Sequence, residues 1–169
     1  MLSKRKLRSI KFQNLLLFAA CILLFGGAGF SLKLNHAYPF ILLALLVAFS
    51  VFSKISHAAV AGFICGAFVD SISADSYCFN TAALMLLTVA ACLLSDTVFN
   101  KNIKAVITLC FLTACAYYLF YWAFFIIPML KTGKVEYLLT YALPSAAYTT
   151  VFVIPFYFIY KHWNKLKSE

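Results

Sequence analysis

Apolar residues recur in long runs from Phe12 to Tyr160, and no polar stretch between them is long enough to fold on its own. An α-helix needs about 20 predominantly apolar residues to cross a bilayer. In hydrocarbon every backbone N–H and C=O must be satisfied within the protein, so only helices and closed barrels span. Of the 169 residues 64% are hydrophobic and 11% are charged. A soluble domain of that length needs a polar exterior that this composition cannot supply. The expectation is an all-α integral membrane protein with one membrane domain over residues 1–169.

Hydropathy divides the chain into six spans, over residues 12–32, 38–52, 55–72, 79–94, 103–130 and 137–160. The basic start (Lys4, Arg5, Lys6, Arg8, Lys11) could open a signal peptide. The following run is long enough to span, however, and shows no A-x-A cleavage site, so a retained first helix is expected. Pro39 suits the first turn of the second span, where its missing N–H costs nothing. Pro128 is expected to end the fifth span, while Pro144 and Pro155 lie inside the sixth.

Charge sets the orientation. With the N-terminus inside, eleven Lys and Arg fall on inner segments and three (Lys33, Lys131, Lys134) on outer loops. That asymmetry places both termini in the cytoplasm. It also accounts for the net charge of +9 without nucleic acid, since no folded domain presents a basic face. The short basic ends lie beside spans and are expected to touch anionic membrane lipid.

The search for chemistry returns little. There is no phosphate-binding loop, no H-E-x-x-H, no G-x-S-x-G and no dinucleotide fingerprint. The six cysteines form no C-x-x-C and no His/Cys set with zinc spacing, so neither a metal nor a cofactor is expected. Most lie in apolar runs as packing residues; Cys78 is in a loop. His57 and Asp70 share a helix but lie about 20 Å apart, too far to share a proton or a metal. Aromatic residues crowd the outer half of the fifth span and both ends of the sixth. They read either as an interfacial belt or as a docking face.

The most informative stretch is Ala58 to Asn80. Gly62, Gly66 and Asp70 stand at i, i+4 and i+8 and share one helical face. Glycines so spaced let another helix approach closely in a membrane. A carboxylate on that face should look toward protein or water, not lipid. Asp70, Asp75 and Asn80, with the nearby serines, form an outer acidic loop. It could bind a cation, or it could cap: Asp75 or Ser76 at the start of the fourth span, Asp70 on loop amides. Gly26, Gly27 and Gly29 should let the first span pack tightly or bend.

Gly62-x-x-x-Gly66-x-x-x-Asp70, a Ser/Asp-rich turn, Phe79-Asn80-Thr81-Ala82 and the closing Tyr160-Lys161-His162-Trp163-Asn164-Lys165 together resemble the rod shape-determining protein MreD family. Cys78 departs from that pattern, since members often carry glycine before the fourth helix. The resemblance implies a non-catalytic adaptor in the bacterial cytoplasmic membrane that binds MreC. Through it the adaptor would act with RodA, a class B penicillin-binding protein and MreB in organising lateral peptidoglycan synthesis and cell shape. The Gly62/Gly66 face could then receive a partner's transmembrane helix; self-association stays open. The alternative is the vitamin-binding subunit of an energy-coupling-factor transporter, whose six-helix fold is thought to be similar. Here the outer loops are short, and the first span lacks the A-x-x-x-A by which such subunits dock.

Overall fold

The computed structural model describes residues 39–73, 78–97, 102–129 and 134–168. The first expected span and its glycines Gly26, Gly27 and Gly29 lie outside the described residues, as does Asp75. Every element described is helical: α1 (Ile41–Val51), α2 (Ile55–Ile72), α3 (Phe79–Thr97), α4 (Ile103–Tyr121) and α5 (Leu143–Ser168). α4 continues through a π-helical turn, Trp122–Ile126, into a last α-turn, Ile127–Met129. α5 is preceded by Lys134–Tyr137 and a second π-turn, Leu138–Ala142.

Among the described residues four helices are long and apolar enough to cross a membrane: Ile55–Ile72, Phe79–Thr97, Ile103–Ile126 and Leu138–Asn164. They coincide with the third to sixth expected spans. The second expectation needs correction. In place of a span over 38–52 stands α1, with 11 residues. It is about 16 Å long, roughly half the hydrocarbon thickness. Pro39 stands before the N-cap, Phe40, not in the first turn.

α1 is apolar on every side, and such a helix belongs in an interior. Leu42 to Ala48 are all fully buried, and the helix packs against α2, α3, α4 and α5. Its ends are held by α5. The Phe40 N–H donates to Thr149 Oγ1 at 2.9 Å. At the other end the rings of Phe49 and Phe52 lie 5.7 and 5.8 Å from those of Tyr160 and Tyr157. The spanning helices behave differently. In α2 only Ala58, Gly62, Cys65, Gly66 and Val69 are buried, one stripe, while Val60, Phe63 and Ile64 face outward. Outward apolar side chains suit a lipid surround.

Several hydroxyl side chains in the bundle bond back to their own helices, which suits a dry surround. Thr88 Oγ1 donates to Leu84 O, Thr113 Oγ1 to Leu109 O, Thr149 Oγ1 to Ser145 O and Thr150 Oγ1 to Ala146 O.

Both π-turns have a local cause. Proline lacks an N–H, and its ring crowds the carbonyl four residues back. For Pro128 that residue is Phe124, and for Pro144 it is Thr140. Each is the middle residue of a π-turn. Widening the turn moves the crowded carbonyl away from the ring. The expectation that Pro128 ends the fifth span agrees with its place in the last turn, Ile127–Met129.

Candidate functional site

Gly62, Gly66 and Asp70 do share one face, and that face is occupied. α2 and α3 form an antiparallel hairpin that meets along it. A Cβ on Gly62 would run into Thr88 Oγ1 and come within 2.8 Å of Leu84 O and 2.9 Å of Met85 Cα. On Gly66 it would strike Thr81 Cα and lie 2.6 Å from Asn80 O. Real Cβ atoms do not approach backbone so closely, so only glycine fits at either position. The partner helix expected on this face is therefore replaced by the chain's own α3.

Asp70 completes the contact one turn on. Its Oδ1 accepts from the Asn80 N–H at 3.1 Å and from Asn80 Nδ2 at 2.9 Å. Its Oδ2 accepts from the Thr81 N–H at 2.8 Å and from Thr81 Oγ1 at 2.5 Å. Asn80 and Thr81 are the second and third residues of α3, whose first amides have no partner within the helix. A carboxylate on α2 thus performs the task that an N-cap side chain performs locally. It also places negative charge at the positive end of the α3 dipole.

The cap is supplied from outside because the residue in the N-cap position cannot supply it. Cys78 has no side-chain oxygen, and its backbone is left-handed, with φ 61°. Its carbonyl accepts the first helical bond, from the Ala82 N–H at 3.2 Å. Glycine adopts this conformation without strain, whereas other residues meet their own Cβ.

The network reaches a third helix. Tyr117 Oη, on α4, donates to Asn80 Oδ1 at 2.6 Å. The Tyr117 ring lies 4.9 Å from Phe40 and 6.3 Å from Phe79. Phe79 also contacts Tyr121, Phe124 and Phe125, all in the C-terminal half of the α4 segment. The aromatic crowd read from the sequence is thus in part a packed cluster around Phe79 at the start of α3. Phe124, two-thirds exposed, keeps an outward face.

Several expectations change accordingly. Asn80 is not a loop residue; it is buried in the first turn of α3. Among the described residues Asp70 accepts from amides of α3. Tyr117 had no local signal, because 37 residues separate it from Asn80. An asparagine opening an apolar span was the hint that a buried partner existed. Among the described residues no three of His, Cys, Asp and Glu converge to hold a metal ion.

An apolar cleft of about 170 Å³ lies between α4 and the start of the last helical segment, lined by Cys115, Tyr118, Leu119, Leu138, Ala142 and Leu143. It has no convergent polar groups of the kind that orient a polar small molecule. Comparison with known proteins returns no match: no family model, no curated protein and no solved structure resembles the chain closely enough to count.

Proposed function

We propose that the chain is a non-catalytic adaptor of the MreD type in the bacterial cytoplasmic membrane, with α2 to α5 as spans and the C-terminus in the cytoplasm. In this reading it binds MreC and, through it, helps organise RodA, a class B penicillin-binding protein and MreB for lateral wall synthesis. The observation that carries the reading is the convergence of the motif behind the resemblance. Gly66 and Asp70 meet Asn80 and Thr81, and Gly62 meets Leu84, Met85 and Thr88 further along α3, so the motif forms one continuous helix–helix contact. The left-handed Cys78 adds to this, standing where the family pattern often has glycine. A scaffold of this kind holds a shape and presents surfaces; its polar groups are used in bonding helices together.

With the glycine face closed, a partner's helix must meet the outward faces of the bundle. Gly62→Leu or Gly66→Leu would weaken partner recovery by damaging the protein itself, so these variants cannot report on docking. The decisive experiment is affinity purification of the full chain from native membranes in mild detergent, followed by mass spectrometry. Recovery of MreC with RodA and a penicillin-binding protein is expected. Recovery of a transporter coupling subunit with its paired ATPases would overturn the reading.

A further inference from the structure

The apolar cleft beside α4 is walled from two sides. Cys115, Tyr118 and Leu119 line it from α4, and Leu138, Ala142 and Leu143 line it from the start of the last helical segment. Leu138 and Ala142 are the first and last residues of the second π-turn, so the widening that accompanies Pro144 shapes one wall. Such turns inside helices are frequent at functional sites. Tyr118 lends the other wall its ring, while its hydroxyl bonds with the side chains of Thr149 and Ser145, both buried in α5.

Both walls belong to helices long and apolar enough to span, Ile103–Ile126 and Leu138–Asn164. Leu119 and Leu143 are each nearly half exposed, so the cleft opens outward, toward hydrocarbon. Water does not fill a hollow of this kind, because it needs several polar partners there. An apolar cavity of about 150 Å³ stays dry and takes a benzene ring; this cleft, at about 170 Å³, is no smaller. A second helix is a poor occupant. Close helix contact in a membrane relies on small residues, and the exposed leucines at the mouth hold another backbone away. A slender apolar chain passes between them.

Tyrosines border the cleft on the side of the turn. Tyr121 follows Leu119 by two residues. Tyr137 precedes Leu138 and stacks on Tyr141, with ring centres 5.1 Å apart. Tyr121 and Tyr141 both lie within electrostatic reach of the Tyr137 hydroxyl. Tyrosine near a span end marks the headgroup level of a bilayer. The two parts together match the two parts of a lipid, phenols at headgroup level and a dry hollow beside them.

We propose that the cleft between α4 and the second π-turn holds one acyl chain of a glycerophospholipid, whose ester region lies at Tyr121, Tyr137 and Tyr141. The inference rests on the spans and not on the adaptor reading. Its test is native mass spectrometry of the purified full chain in mild detergent, with phosphatidylcholine and phosphatidylglycerol of identical chains offered in separate titrations. The intact protein is expected to retain one molecule of either lipid, with similar affinity, because the cleft reads the chain and not the charge. Each methylene excluded from an apolar site lowers retention about four-fold. Ala142→Leu, which displaces about two methylenes, should therefore weaken retention by about ten-fold or more. Cys115→Leu, from the opposite and partly exposed wall, should act in the same direction and carries the test if Ala142→Leu fails to fold. Leu86→Phe, on the outward face of α3, should leave retention unchanged. An intact protein that retains no lipid would overturn the proposal, as would retention of phosphatidylglycerol alone. So would folded filling variants that bind as the parent does, a loss produced equally by Leu86→Phe, or a polypeptide in place of lipid that the filling variants release.

Discussion

At the scale of single residues, the corner around Asp70 is governed by satisfaction of buried polar groups. From Asn80 and Thr81 alone four donors end on one carboxylate, two of them backbone amides of α3. Asp70→Ala removes all four acceptor contacts at once and should destabilise the fold by about 3 kcal/mol. Tyr117→Phe removes a single donor and leaves Asn80 Oδ1 with one partner fewer, at a cost of about 1 kcal/mol. Chemical unfolding in one detergent, with both variants beside the parent, checks the order; a Tyr117→Phe loss as large as that of Asp70→Ala would contradict it. Cys78 works in the opposite direction. Its φ of 61° strains any side chain, so Cys78→Gly should raise stability by about 0.5–1 kcal/mol after the added chain entropy of glycine is subtracted. The same unfolding series measures it, and a loss of stability would show that the left-handed turn is not where the strain lies.

At the scale of elements, the prolines explain why two helices widen where they do. Pro144 leaves Thr140 without its usual donor, and the turn Leu138–Ala142 opens around it. Pro144→Ala restores the donor and should let the segment close to a regular α-helix. Losing one residue from the turn rotates everything upstream by about 100°. Spin labels placed singly along residues 136–141 would then exchange lipid-facing and protein-facing positions, and an unchanged pattern would place the cause of the π-turn in packing instead. The elements also show how far the sequence could be read. The third to sixth spans follow from hydropathy because each carries enough apolar residues on its outward face. α1 misled for the same reason. Its residues are as apolar as a span's, but they are apolar on account of burial among four other helices, and hydropathy does not separate lipid from protein interior. Only its length, 11 residues between Phe40 and Phe52, distinguishes the two cases.

At the scale of the whole molecule, a short buried helix is surrounded by longer ones that face outward. This predicts an unequal response to the same substitution. Leu45→Ala, in the middle of α1, should cost about 2–5 kcal/mol, because the cavity it leaves is enclosed. Leu86→Ala, on the outward face of α3, should cost little, since lipid fills the space. Equal losses in bilayer-reconstituted protein would mean that α1 is not central. The spacing of Gly62, Gly66 and Asp70 revealed a close-packing face ending in a carboxylate; it could not reveal whether the neighbour was a partner or the next helix of the same chain. Asn80 and Thr81 were visible as neighbours of the turn, but their bond to Asp70 depends on α3 starting at Phe79, which a left-handed Cys78 arranges. The account therefore turns on the closed α2/α3 face, and Gly66→Ala tests it most directly. The added methyl group has backbone on its far side, at Thr81 Cα and Asn80 O, and nothing there can swing away. Thermal unfolding of that variant in mild detergent should show a marked loss of stability with the helices forced apart. A Gly66→Ala protein as stable as the parent would mean that the face is open, and that a partner's helix could still occupy it.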